Sequence, residues 1–182
     1  DDDPLWEPGS NSEVEQLFLD STGDSLYDDI YTRDVIDNAY IIAKGNIYQS
    51  FFEDLDDWKN TEHLIADYAV APYDWRLSLD ELLMSGTKTG DHISYLDDTD
   101  MPYIIAELRR LAETSRTGKV TIIAHSNGGL LAKALSNKLG AEAGQLIDQI
   151  VFVAVPQSGT PQAIGAVLHG FDQGLPVDWF PF

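Results

Sequence analysis

The chain has no cysteine. Disulfides, thiolate catalysis and cysteine-based zinc sites are excluded, and no redox compartment can be read from it. Basic residues are scarce: 11 Lys and Arg stand against 31 Asp and Glu, for a net charge of −20. The deficit is local. Residues 1–100 hold 25 acids and 5 bases, whereas residues 101–182 hold six of each. A surface this acidic repels phosphate backbones and anionic membranes, which argues against nucleic acid as a partner. The charge is read as serving solubility rather than a specific cationic partner. Long apolar runs are missing too. None approaches the ~18 residues that a membrane-spanning helix needs. Asp1-Asp2-Asp3-Pro4 shows neither the basic region nor the apolar stretch of a signal peptide, so a soluble chain with no assigned compartment is expected.

Metal and nucleotide signatures are equally absent. There is no H-E-x-x-H and no histidine pair at ligand spacing. Asp20–Asp24 and Asp97-Asp98-Thr99-Asp100 lack the calcium-loop pattern and read as solvated turns and caps. No glycine-rich phosphate loop follows a strand. No metal and no cofactor are expected, and the oligomeric state is not legible.

What is present suits one domain. The 182 residues are 43 % apolar and 10 % aromatic, too rich for a disordered chain. Residues 1–45 read as an irregular excursion, 46–156 as core strands and helices, and 157–182 as the start of a cap or lid. Phe51, Phe52, Leu55 and Trp58 predict a helix over 47–60. Residues 64–71 read as a strand stopped by Pro72. Ser78 caps a short helix through Met84 that Gly86 ends. Thr99 or Asp100 caps a helix with Ile104, Ile105, Leu108, Leu111 and Ala112 on one face, running to about Arg116. Val120–Ala124 predicts a strand covered on both faces, Gly128–Leu139 a helix stopped by Gly140, and Ile150–Val155 a strand stopped by Pro156. Alternation of this kind implies an α/β fold with a mainly parallel sheet and helices on both faces.

Ala124-His125-Ser126-Asn127-Gly128-Gly129 stands where a strand meets a helix. It is the G-x-S-x-G nucleophile elbow with alanine for the first glycine. A serine hydroxyl is a weak nucleophile and must be presented clear of its backbone. A sharp turn does this and crowds the residues two before and two after the serine, here the small Ala124 and Gly128. Ser126 is the candidate nucleophile. The Asn127 backbone N–H, helped by the helix dipole, is the candidate oxyanion donor. His125 reads as a packing residue, not the base. The bland alternative is that Ser126 merely caps the helix and the glycines permit close packing; the strand-to-helix context favours the catalytic reading.

Four segments resemble one family: Leu5-Trp6-Glu7-Pro8-Gly9, Ala71-Pro72-Tyr73-Asp74-Trp75-Arg76, the elbow, and Val153–Pro161 with its Pro-x-x-Gly-Thr-Pro ending. Their order and spacing are similar to the lecithin:cholesterol acyltransferase and phospholipase branch of the α/β-hydrolases, over most of residues 5–165. The resemblance implies acyl transfer from a lipid or other ester, to water or an alcohol, through an acyl-serine. Tyr73, Asp74, Trp75 and Arg76 are candidate substrate-binding residues, at the sheet edge where ligands sit. Asp74 and Arg76 equally suit a structural ion pair that fixes the loop, and Trp75 suits packing under a lid. Thr160 and Pro161 suit the start of a helix.

The family's pattern also needs parts that are not visible. A second oxyanion N–H from a glycine-bearing loop does not precede Trp6. The order Ser…Asp/Glu…His leaves His169 as the single histidine after the elbow, with Glu142, Asp148, Asp172 and Asp178 as acids. Asp148 falls before its strand, and Asp172 and Asp178 follow His169. The acid and base are therefore expected outside this stretch, and the sheet is expected to be incomplete. His63 and His92 read as surface residues. The rival reading is a non-catalytic α/β-hydrolase-like binding module; a peptidase or thioesterase on the same fold is a third.

Overall fold

The computed structural model describes residues 5, 10–35, 38–40, 44–161, 165 and 168. The excursion before residue 45 contains helix α1 (Asn11–Gln16), capped by the Ser10 hydroxyl, and a small hairpin of β1 (Asn38–Tyr40) and β2 (Lys44–Asn46). Helix α2 (Gln49–Asn60) forms where the aromatic spacing predicts it. Helix α3 (Leu79–Met84) is capped by Ser78, whose hydroxyl accepts the Glu81 N–H, and buries Leu82 and Leu83.

The next element has no counterpart in the sequence reading. Strands β3 (Ser85–Thr89) and β4 (His92–Asp98) form an antiparallel hairpin around Gly90 and Asp91. Gly90 has φ +65°, the left-handed conformation that a two-residue hairpin turn demands. Gly86 does not end α3 but sits at a bulge in β3, with φ +97°. A Cβ there would lie 2.9 Å from the Tyr95 ring, so glycine is required on both counts. Thr32 bridges to Ile93 through two backbone hydrogen bonds and ties the early chain to this hairpin.

Helix α4 (Tyr103–Thr114) starts at Pro102 rather than at a Thr99 or Asp100 cap, and ends before Ser115. It buries Tyr103, Ile104, Ile105, Leu108 and Ala112. Strand β5 (Val120–His125), helix α5 (Gly128–Leu139), a 3-10 turn (Gly140–Glu142), helix α6 (Ala143–Leu146) and strand β6 (Ile147–Val153) follow in order. β5 and β6 pair in parallel, from Val120 with Ile147 to His125 with Val153, and α5 is the crossover. Gly140, at φ +55°, stops α5 as expected. One core joins Leu77, Leu82, Leu83, Ile93, Ile104, Leu108, Leu131, Leu135 and Ile147. The residues of highest burial, Leu82, Leu83 and Ile93, come from α3 and β4. Burying each such side chain stabilises by about 1.5–3 kcal/mol.

The described strands make three two-stranded sheets, one parallel and two antiparallel; β5 and β6 are the parallel part, and no wider parallel sheet is seen among the described residues. Several other expectations are corrected. Among the described residues, nothing covers the second face of the 120–124 strand. Val120, Ile122 and Ala124 turn inward, while Ile123 is 48 % exposed, and Val151, Phe152 and Val153 of β6 are also open. β6 starts at Ile147 and ends at Val153, because Ala154 turns to φ +49°. Asp148 therefore lies inside the strand rather than before it. The expected strand over 64–71 has no ladder partner among the described residues. Its apolar residues suggest a strand, but side chains hold it instead. The Asp67 carboxylate takes Lys59 at 2.6 Å and Arg110 at 2.9 Å, and the Tyr68 hydroxyl donates to Asp56.

Lys59 first, then Arg110, pulls the Asp67 carboxyl from its ordinary 3.8 down to about 2. A folded-state value below the unfolded one means stability that is present above about pH 4 and lost as pH falls through about 2. Asp67→Asn should therefore flatten the loss of stability between these values in urea melts taken across pH. An unchanged acid slope would show that these pairs contribute nothing to stability.

Candidate active site

β5 is rich in β-branched residues, which suits a strand, and it ends at His125. Ser126 then turns to φ +51°. For a residue with a Cβ this conformation is strained, at a cost of about 1–3 kcal/mol. It persists because both sides hold it. The Ser126 N–H donates to the Val153 carbonyl at 2.9 Å, tying the turn to the end of β6. Its carbonyl accepts the Gly129 N–H at 3.0 Å, opening α5. Asn127 is already helical, at φ −57° and ψ −29°.

The outcome is a serine exposed at the carboxyl end of the parallel pair, facing solvent from a strand–turn–helix junction. Among the described residues, the Ser126 hydroxyl and the backbone N–H groups of Asn127 and Gly128 have no hydrogen-bond partner. Unpaired donors at a helix N-terminus carry the positive end of its dipole, and they suit developing negative charge.

Crowding at the elbow falls one residue later than expected. A Cβ on Gly128 would meet only the Tyr73 hydroxyl, at an ordinary 3.9 Å. A Cβ on Gly129 would stand 2.1 Å from Val155 Cγ2 and 2.9 Å from its Cβ. Gly129 is thus what lets α5 pack against the chain leaving β6.

The segment Tyr73–Arg76 forms a tight loop around one buried ion pair. Arg76 grips Asp74 with Nε at 2.9 Å and Nη2 at 2.6 Å, and its own backbone N–H adds a third bond at 3.0 Å. The side chains are 4 % and 10 % exposed. Bidentate geometry and burial make this pair part of the loop's framework, whereas Arg76 Nη1 is buried without a partner among the described residues. Trp75 is not packed under anything among the described residues; it is 61 % exposed. Tyr73 points to the elbow. Burial pushes its phenol up from the usual value, while the Asn127 side-chain amide, turned toward the phenol oxygen, acts the other way.

His125 is exposed rather than packed. Its Nδ1 meets the Tyr48 hydroxyl at 2.5 Å, and the two rings stand edge to face at 5.7 Å. Tyr48 escaped the sequence reading. The aromatic spacing of Tyr48, Phe51 and Phe52 was the available signal, and on a helical pattern it reads as core.

The acids left as triad candidates stand elsewhere. Glu142 is held by Arg109 through two bonds of 3.0 Å, at the far end of α5. Asp148 lies at the amino end of β6, away from Ser126. His169, Asp172 and Asp178 lie outside the described residues, as do most of the opening Leu5–Gly9 segment and the expected cap. Of the expected helix after Thr160, Pro161, Gly165 and Leu168 are described, and all three are helical. An open hollow of about 350 Å³ by Arg109, Gly118 and Glu142 is at the opposite end of β5 from the serine.

These residues define an α/β unit that offers a serine and unpaired amides at the carboxyl edge of parallel strands, where ligands of open α/β sheets bind. The family model of lecithin:cholesterol acyltransferase matches residues 27–178, and the chain belongs to that family. Membership carries the general expectation of acyltransferase or lipase-like chemistry on lipids. No curated protein and no solved structure matches the chain significantly.

Gly129→Ala should destabilise the protein by about 1–3 kcal/mol, the usual cost of overpacking, and Gly128→Ala by clearly less. Thermal melts of the two variants check this order. Equal melting temperatures would mean that α5 does not depend on its approach to Val155.

Proposed function

We propose that the protein transfers acyl groups from lipid or other carboxylic esters through an acyl-serine on Ser126. The observation that carries this reading is the left-handed Ser126 between β5 and α5, strained and anchored to Val153, with its hydroxyl exposed. Backbone strain at a polar residue on a sheet edge is explained by presentation of its side chain. The Ser126 oxygen attacks the ester carbonyl, its proton passes to a base, and the Asn127 N–H stabilises the oxyanion. A histidine and an acid from residues outside those described serve as base and orienter. Tyr73 and Trp75 border the acyl site, and Asp74 with Arg76 holds their loop. Water or an alcohol takes the acyl group in the second half-reaction.

Ser126→Ala in the full-length protein should lower ester turnover by about 10⁶-fold and abolish labelling by a fluorophosphonate. Retained turnover would sink the proposal. A wild-type protein that fails to label, yet binds a lipid ester, would instead be a binding module.

A further inference from the structure

The residue before the serine is held by a side-chain bond as well as by its strand. A nucleophile must be placed closely, because a displacement of about 1 Å is enough to cost about 10²-fold in rate. The backbone fixes the Ser126 turn from two directions, through its N–H to Val153 and its carbonyl to Gly129. A third tie enters through His125, one peptide bond earlier. The His125 Nδ1 lies 2.5 Å from the Tyr48 hydroxyl, and the two rings pack edge to face at 5.7 Å. The phenol donates to a bare Nδ1 or accepts from a protonated one, so the bond exists in either neutral tautomer. Tyr48 is itself rooted. It is the half-buried N-cap of α2, with its ring 6.1 Å from that of Phe52. The far end of α2 is fastened by Lys59 to Asp67 at 2.6 Å and by Asp56 to the Tyr68 hydroxyl at 2.8 Å. None of this serves the core, since α2 buries no residue and His125 is exposed. A hydrogen bond open to water adds little to stability. Its use here lies in what it holds.

We propose that Tyr48 is a positioning residue for acyl transfer, whose hydroxyl holds His125 and thereby fixes the end of β5 from which Ser126 is presented. This rests on the reading of Ser126 as the nucleophile. Tyr48 exchanges no proton in the reaction and acts through His125 alone. It governs how closely the serine oxygen approaches the ester carbon, which is read in kcat, and leaves ester binding, read in KM, nearly unchanged. What matters at position 125 is a hydrogen-bonding atom where Nδ1 stands, not the ring. His125→Asn puts its side-chain amide there, whereas His125→Phe keeps the ring shape and loses the atom.

The test uses the full-length protein with a p-nitrophenyl ester, and with a fluorophosphonate whose labelling rate reports the serine alone. Tyr48→Phe should lower kcat and the labelling rate by about 10- to 10²-fold, with KM little changed. The double variant Tyr48→Phe/His125→Phe should be no slower than the slower single variant, because both remove one bond. Wild-type rates in Tyr48→Phe, a loss carried by KM, or fully additive losses in the double variant each overturn the role. Should Tyr48→Phe not fold, the two His125 variants decide. His125→Asn should lose less than His125→Phe, while the opposite order means that the ring merely packs and overturns the role. Ser126→Ala separates the two readings. Lost turnover there with full turnover in Tyr48→Phe removes Tyr48 alone, while full turnover in Ser126→Ala removes both.

Discussion

The hydrogen bond from the Ser126 N–H to the Val153 carbonyl is the contact on which the site depends. A left-handed serine is unfavourable by itself. It is tolerated because the turn ends one strand, opens one helix and is fastened to a second strand at the same point. β5 and β6 pair along their whole length up to that point, from Val120 to His125. α5 can close over the pair because Gly129 has no side chain to meet Val155. Loosening any of these moves the serine, so strand register, helix approach and nucleophile position are a single constraint.

A second layer of contacts surrounds the turn. The residues on either side of Ser126 each face a tyrosine: His125 meets the Tyr48 hydroxyl, and Asn127 turns its amide to Tyr73. Tyr73 in turn depends on a buried pair, Asp74 with Arg76. Burying such a pair is costly in desolvation, and among the described residues Arg76 Nη1 is still without a partner. What the pair yields is a defined loop. Two of its four residues are spent on rigidity, Trp75 stays at the surface, and Tyr73 is carried to the elbow.

Legibility followed the range of the interactions. α4 and α5 were readable because their apolar residues recur at helical spacing and a glycine marks the stop of α5. The pairing strand β5 was readable from its β-branched run. The hairpin of β3 and β4 was missed, although Gly90-Asp91 between alternating residues is a two-residue turn signal. Its strands are polar and short, and Ile93 is the one apolar side chain they bury fully in the core, with Tyr95 packed beside it. Residues 64–71 failed in the opposite sense. Their composition suits a strand, but a strand needs a neighbour, and Lys59 and Arg110 claim Asp67 first. Small residues were expected around the serine, yet the decisive one is Gly129, because the crowding neighbour is Val155, 26 positions further along the chain.

By itself the sequence determined the chemistry available. It set a serine between small residues at a strand–helix junction, excluded thiolate chemistry, and carried the motifs of the family to which the chain belongs. These are local facts, written in neighbouring residues and short periods. Only the tertiary structure decided which groups stand around that serine. Tyr48 and His125 are 77 residues apart in sequence and share one hydrogen bond. No local pattern records such a meeting, because it depends on where the start of α2 comes to lie beside the end of β5.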